Sequence, residues 1–283
     1  MNLKIVDHVI KNALNEDIGP GDYSSLASVP KNAVGKAKLL VKDEGIIAGI
    51  DLAKRIMELY DPNLQMEIFI EDGSKVKPGD IAFTVEGSSI SILSTERLML
   101  NFMQRMSGIA TLTNKYVQLI QGSKTKLLDT RKTTPGIRYM EKWAVRIGGG
   151  HNHRYALYDM IMLKDNHIDY AGGIQQAIEK TNQYLKENNL DLKIEIEVRD
   201  FDELNQVLKV GQVDRIMLDN FTPSQLKEAL ILINGQYETE ASGGITEVTL
   251  KDYAATNVDY ISVGALTHSF KSLDMSLKAD FKK

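Results

Sequence analysis

Apolar and polar positions follow one rhythm up to about residue 120 and another after residue 123. Residues 5–16 space their apolar side chains as a helix does. "KAKLLVKDEG" reads as a strand, "DLAKRIMELYD" as a helix, and "LQMEIFI" alternates like a half-buried strand. "EDGSKVKPGDIAFTVEG", punctuated by Gly and Pro, predicts a hairpin. A long helix follows over "STERLMLNFMQRMSGIATLTNKYVQLI". Met99, Phe102, Met103, Met106 and Ile109 lie on its apolar face, and Arg97, Asn101, Gln104 and Arg105 on its polar face. Ser94 or Thr95 suits its N-cap. The methionines read as core packing.

After residue 123, short apolar runs recur and each ends at a polar or glycine position. They are "TKLLD", "YDMIMLK", "LKIEIEV", "VDRIMLD", "QYETEA" and "VDYISV". Glu197, Asp219, Ala241 and Val263 are each 22 residues apart, the length of a compact strand–loop–helix–loop unit. "DFDELNQVLKV", "TPSQLKEALILI" and "TEVTLKDYAA" supply helices between the strands. Six or so βα units predict a parallel barrel with fewer than the usual eight strands. A doubly wound sheet is the alternative. The barrel is preferred because polar residues follow nearly every strand, whereas a doubly wound sheet gathers its chemistry at one switch point. The closing "FKSLDMSLKADFKK" spaces Phe270, Leu273, Leu277 and Phe281 as one helical face.

Composition narrows the class. The chain has 283 residues, 43% apolar and 25% charged, which is ordinary globular composition. A net charge of −4 argues against general nucleic-acid affinity. With no cysteine there is neither a disulfide framework nor a thiolate metal site. The charged N-terminus lacks the apolar core of a signal peptide, and no run reaches the roughly 18 apolar residues that span a bilayer. The expectation is a cytoplasmic protein with no membrane partner.

Against that acidic background, residues 129–168 carry seven Lys/Arg and three of the five histidines. The strand ends and the glycine-rich loop offer Arg131, Lys132, His153, Arg154, Lys164, Glu197, Asp219, Ser242, Gly243, Gly244 and Gly264. Arginine suits planar carboxylates through its bidentate fork, so Arg131, Lys132 and Arg154 suit an anion with more than one carboxylate. "GIRYMEKWAVRI" reads instead as a helix whose Arg138, Lys142 and Arg146 face solvent. "EASGGIT" and "SVGALTHS" place glycines after the last two strands, where barrels bind phosphate on backbone N–H groups; two ordinary turns are the alternative. Glu197 and Asp219 lie on successive units. They could accept ribose hydroxyls, hold Mg²⁺, act as acid and base, or be a buried pair neutralised by Lys164. "HNH" at 151–153 lacks an evident third metal ligand. His167 caps or packs, and His8 and His268 read as structural.

In order along the chain, "LNEDIGPGDYSS", "STERLMLNFMQRMSGIAT", "DTRKTTPGIRYMEKWAVRIGGGHNHR", "LKDNHI", "IEIEVRD", "IMLDN", "EASGGI" and "ISVGALTHS" resemble the quinolinate phosphoribosyltransferase family, also called nicotinate-nucleotide pyrophosphorylase (carboxylating). The resemblance covers essentially the whole chain. It implies an α/β fold of an N-terminal α/β sandwich (residues 1–112) and an incomplete TIM-like barrel (113–269); the helical spacing at about 270–283 adds the expectation of a C-terminal helix packed on the first domain. It also implies transfer of phosphoribose from phosphoribosyl pyrophosphate to quinolinate with Mg²⁺, giving nicotinate mononucleotide, pyrophosphate and CO₂ for NAD biosynthesis. By motif, Arg131, Lys132, His153 and Arg154 match the quinolinate-binding residues. Arg97 matches an arginine donated across a homodimer. Lys164, Glu197 and Asp219 match residues around ribose, pyrophosphate and metal. Ser242, Gly243 and Gly264 match the 5′-phosphate loops, with His268 close by.

Overall fold

The structure, a computed structural model, describes residues 2–279. Its contacts gather into two compact units. One holds the residues up to 115, then 132–149 and those from 265 onward; the other holds 116–131 and 150–264. The sequence reading put a boundary at 112–113 and the segment from about 270 on the first domain; a return at 132–149 formed no part of it.

The first unit contains the strands β1 (Val34–Val41), β2 (Gly45–Ile46), β3 (Gln65–Ile68), β4 (Lys75–Val76) and β5 (Ile81–Ser88). An antiparallel sheet runs in the order C-terminal strand Met275–Ala279, β1, β5, β3. Along β1, Ala37, Leu39 and Val41 are buried while Lys36 and Lys38 are not, the period-two pattern that a one-sided sheet requires. The helix Ile50–Tyr60 buries Ile50, Leu52, Ala53, Ile56 and Met57 along one stripe.

Four expectations need correction here. The C-terminal segment is a strand, not a helix: Leu277 pairs with Leu39, and Met275 and Leu277 are buried on alternate positions. The i, i+4 spacing that suggested a helix ran through Phe281, which lies outside the described residues. The long helix is Ser89–Leu119, so Ser94 and Thr95 lie inside it and cap nothing. The Thr95 hydroxyl bonds back to the Ser91 carbonyl, and Ser94 reaches Asp22. β4 and β5 do not form a hairpin with each other; β4 pairs with β2, and β5 with β1 and β3. Finally, Lys142 on the helix Arg138–Ile147 is only 2% exposed, not solvated. Beside it the fully buried Glu141 accepts from Arg105 Nε at 2.8 Å and from the Thr134 N–H at 3.0 Å, pinning the start of the "TTPG" turn.

The second unit is a sheet of six parallel strands: β6 (Lys126–Leu128), β7 (Ile161–Leu163), β8 (Ile194–Val198), β9 (Arg215–Asp219), β10 (Glu238–Ser242) and β11 (Tyr260–Ser262). Their order is β6-β11-β10-β9-β8-β7, an incomplete barrel. Beyond β6, Leu128 makes one parallel bridge to His151 in place of a neighbouring strand. The helices Phe201–Val210, Pro223–Ile233 and Leu250–Ala254 alternate with strands as the spacing predicts. Pro223–Ile233 starts at a capping box of Thr222 and Gln225 with Pro at its first turn.

Asp72 accepts the Ile50 N–H at 2.8 Å, at the start of the helix Ile50–Tyr60, but its Oδ2 is buried without a hydrogen bond. Burial and the neighbouring Asp51 push its carboxyl up to about 6, although the backbone N–H bonds pull the other way. The folded chain therefore holds this proton more tightly than the unfolded chain. Through this group stability falls as pH rises from 3.8 to about 6. The penalty at neutral pH is on the order of 2–3 kcal/mol. Asp72→Asn keeps the acceptor oxygen, so its stability should be flat across that window and higher than wild type at pH 7, as urea unfolding at several pH values would measure.

Candidate active site

Side chains alternate across each barrel strand, so residues two apart share a face. That rule puts Glu195 and Glu197 of β8 on one face, likewise Arg215 and Asp219 of β9, and Glu238, Glu240 and Ser242 of β10. Strand register ranks them. Ser242 lies beside Asp219, and Glu238 beside Arg215 at the opposite end. The C-terminal rim thus carries Lys164, Glu197, Asp219, Ser242 and, beyond β11, Gly264. A buried polar layer lies below.

The loop after residue 150 is fastened to the end of β6. The His151 N–H bonds the Leu127 carbonyl at 2.8 Å, and the Asp129 N–H bonds the His151 carbonyl at 3.1 Å. The fully buried Asp129 carboxylate accepts from Asn152 Nδ2 at 2.5 Å and from the His153 N–H at 2.9 Å. Asp159 closes the far side by accepting the Tyr155 and Ala156 N–H groups. The turn presents Arg154, whose Nη1 reaches the Met160 carbonyl at 3.2 Å. Burial, then the charge of Arg131, lowers the pKa of Arg154.

Across the rim, Lys164 Nζ is 3.8 Å from Glu197 Oε2. Burial, and next the charge of Asp219, raises the pKa of Glu197, while Lys164 opposes the shift. Asp219 accepts from Asn220 Nδ2 at 2.6 Å. The His167 imidazole accepts the Lys164 N–H at 3.0 Å and so caps the short helix Asp165–Ala171.

Gly243 shows why its loop is glycine-rich. Its φ is +94°, and a Cβ there would lie 2.2 Å from Asn220 Oδ1. Asn220 is itself left-handed at φ 58° and donates its N–H to the Ser242 carbonyl at 2.9 Å. The two strand-end turns interlock, and the Gly243 backbone is left bare.

Arg131, His153, Arg154, Lys164, Glu197, Asp219, Ser242, Gly243 and Gly264 therefore all belong to the barrel unit. Arg97, Lys132 and His268 belong to the other unit and are exposed. The Lys132 carbonyl there accepts the Thr267 hydroxyl at 2.9 Å, and His268 Nδ1 is 2.7 Å from the Ser269 hydroxyl. The sequence reading missed Asp129, Glu195, Arg215 and Glu240. The signal was available: at period two Glu195 shares a face with the rim acid Glu197, and Glu240 shares one with the rim residue Ser242.

A rim of cations and carboxylates at the C-terminal ends of an incomplete parallel barrel, in a chain with a second antiparallel α/β unit, defines an enzyme class built to handle polyanions. Family profiles sharpen this. "Quinolinate phosphoribosyl transferase, N-terminal domain" matches residues 22–107, and "Quinolinate phosphoribosyl transferase, C-terminal domain" matches 109–278. The chain belongs to the quinolinate phosphoribosyltransferase family and is a pentosyltransferase of NAD biosynthesis. It is 47% identical to "Quinolinate phosphoribosyltransferase [decarboxylating] 2b, mitochondrial" of Nicotiana tabacum, over 96% of this chain and 81% of that one. It is 42% identical to the probable nicotinate-nucleotide pyrophosphorylase [carboxylating] of Bacillus subtilis, over 95% and 92%. Among solved structures, NadC from Streptococcus pyogenes superposes with a TM-score of 0.93 at 38% identity, covering 100% of this chain and 99% of that chain.

Gly243→Ala should cost about 1–3 kcal/mol from strain and overlap. Asn220→Gly in the same chain should return part of that loss. A double-mutant cycle of thermal melts measures the coupling, and additive losses would contradict the interlock.

Proposed function

We propose that this chain transfers phosphoribose from phosphoribosyl pyrophosphate to quinolinate and releases CO₂, with the chemistry on the barrel rim. The observation that carries this reading is the turn presenting Arg154, fastened through His151 and Asp129 to the end of β6, the strand that Arg131 follows. Charge-assisted hydrogen bonds contribute roughly 1.5–3 kcal/mol each. His153 lies in the loop that carries Arg154. Arg97, exposed on the long helix, completes the acceptor site as a contribution from a second copy in a homodimer.

Donor binding uses the opposite part of the rim. The loops of Ser242, Gly243 and Gly264 accept the 5′-phosphate. Glu197 and Asp219 receive the ribose hydroxyls. The same two carboxylates suit Mg²⁺: both are oxygen donors, and the charge of Asp219 already raises the pKa of Glu197, a repulsion that a hard dication would offset. When bound, Mg²⁺ supplies positive charge to the pyrophosphate oxygens.

The residues' part in the reaction is positioning and charge. The arginines aim the quinolinate nitrogen at ribose C1, and such positioning can lower a barrier by several kcal/mol, about tenfold in rate for each 1.4 kcal/mol. As the C1–O bond breaks, positive charge grows on C1. Glu197 and Asp219 face that charge, and Lys164 faces the departing phosphate oxygens. The N–C1 bond leaves the ring nitrogen cationic. The adjacent carboxylate then departs as CO₂, its electron pair stabilised by that nitrogen, and a proton fills the carbon. We place the protein in the cytoplasm. Among the described residues no helix is long and apolar enough to cross a membrane.

Release of CO₂ from carboxyl-labelled quinolinate should require phosphoribosyl pyrophosphate and fall when Mg²⁺ is chelated. Arg131→Ala should raise the quinolinate KM by at least about tenfold and leave the donor KM within about twofold. Release of CO₂ without the donor, or an unchanged quinolinate KM, would sink the assignment.

A further inference from the structure

Inside the barrel unit, below the rim, four side chains from four separate segments converge. His153 Nε2 lies 3.0 Å from Glu195 Oε2 of β8 and 3.3 Å from Glu240 Oε2 of β10; the histidine side chain is 5% exposed and both glutamates 0%. Arg215 of β9 closes the group, with Nη1 3.2 Å from Glu240 and 3.8 Å from Glu195. It is held in turn by Glu238 at 3.0 Å and by the face of Tyr260, 4.1 Å from the ring centre. The other ring nitrogen, His153 Nδ1, accepts the Arg154 backbone N–H at 2.7 Å. Both nitrogens of this ring are engaged within the protein.

We propose that His153 is a positioning residue: its ring, gripped by Glu195, Glu240 and Arg215, fixes the Arg154 main chain and thereby the acceptor end of the site. This rests on the reading that Arg154 binds quinolinate. The anchor fixes the peptide that carries Arg154, and the charge of Glu195 opposes the lowering of the Arg154 pKa by burial and by Arg131. The cluster is held by charge and proximity: ion-pair distances of 3.0–3.8 Å link its members, while both Glu195 oxygens and Glu240 Oε1 are buried without a hydrogen bond.

The ring's protonation fits an anchor. Burial disfavours a second ring proton, whereas the bonds and charges of Glu195 and Glu240 favour one, for a balance of about 9. The Arg154 N–H aimed at Nδ1 works against that proton, because two N–H groups would then face each other. The geometry therefore assigns a proton on Nε2 and a lone pair on Nδ1. The three acceptor atoms of His153, Glu195 and Glu240 are close enough together to ligate a metal ion. Arg215 already supplies their countercharge, so a dication would sit against a guanidinium. The group is read as a hydrogen-bonded clamp.

The test uses the full chain. Glu240→Ala should raise the quinolinate KM about tenfold while the donor KM and kcat stay within about threefold. Glu240→Gln, which keeps an acceptor for Nε2–H, should restore most of the affinity. In the wild-type chain, ¹⁵N shifts of the His153 ring, assigned by the signal lost in His153→Gln, should show Nε2 protonated and Nδ1 bare at pH 7.5. A doubly protonated ring, an equal loss for both substrates in Glu240→Ala, or a stoichiometric metal ion released on His153→Gln would overturn the clamp. Arg154→Ala separates the two layers of the argument. If it leaves the quinolinate KM unchanged, the reading of Arg154 fails; if it raises that KM while Glu240→Ala does not, only the clamp fails.

Discussion

The barrel unit depends on one constraint: charge taken out of water must be matched nearby. Its strands point acids inward at successive same-face positions, Glu195 and Glu197 on β8, Glu238 and Glu240 on β10. An apolar barrel core would need none of them. Here the two glutamates of the lower layer face Arg215 and the Nε2 edge of the His153 ring. In the upper layer Lys164 Nζ lies 3.8 Å from Glu197. The acids thus divide by depth along one strand face, one layer held inside the barrel and one at its rim.

The loop carrying the acceptor cations obeys the same logic by other means. Asp129, fully buried, is used up on the Asn152 amide and the His153 N–H. Glu141 does the equivalent for the other cationic stretch, taking Arg105 and the Thr134 N–H in the antiparallel unit. Neither carboxylate is available to a substrate. Each holds a turn in one shape beside a cationic stretch of the chain.

Much of this was legible in the sequence. The 22-residue recurrence gave the βα units, and polar residues at strand ends gave the rim, because a parallel strand's C-terminal end is where a barrel exposes side chains. Other features were not legible, for physical reasons. Lys142 sits at helical spacing with Arg138 and Arg146, yet it is buried, since periodicity tells that three residues share a face but not whether that face meets water. Glu195 and Glu240 were passed over because an acid in a strand reads as solvent-facing until its neighbours' register is known. The segment at 275–279 has period two over five residues, too short to outweigh a longer run of helix-like spacing.

That last strand has a consequence for how the chain is made. Met275–Ala279 pairs along β1, a strand that leaves the ribosome more than two hundred residues earlier. At about 5–20 residues per second, β1 waits on the order of tens of seconds for its neighbour, while every barrel strand emerges in between. Throughout that interval the β1 edge offers open backbone hydrogen-bonding groups to any passing strand. The same late arrival makes the final segment a closing seam: the antiparallel sheet is finished only once translation has passed the whole barrel, so a chain stalled short of it would carry its most adhesive edge uncovered.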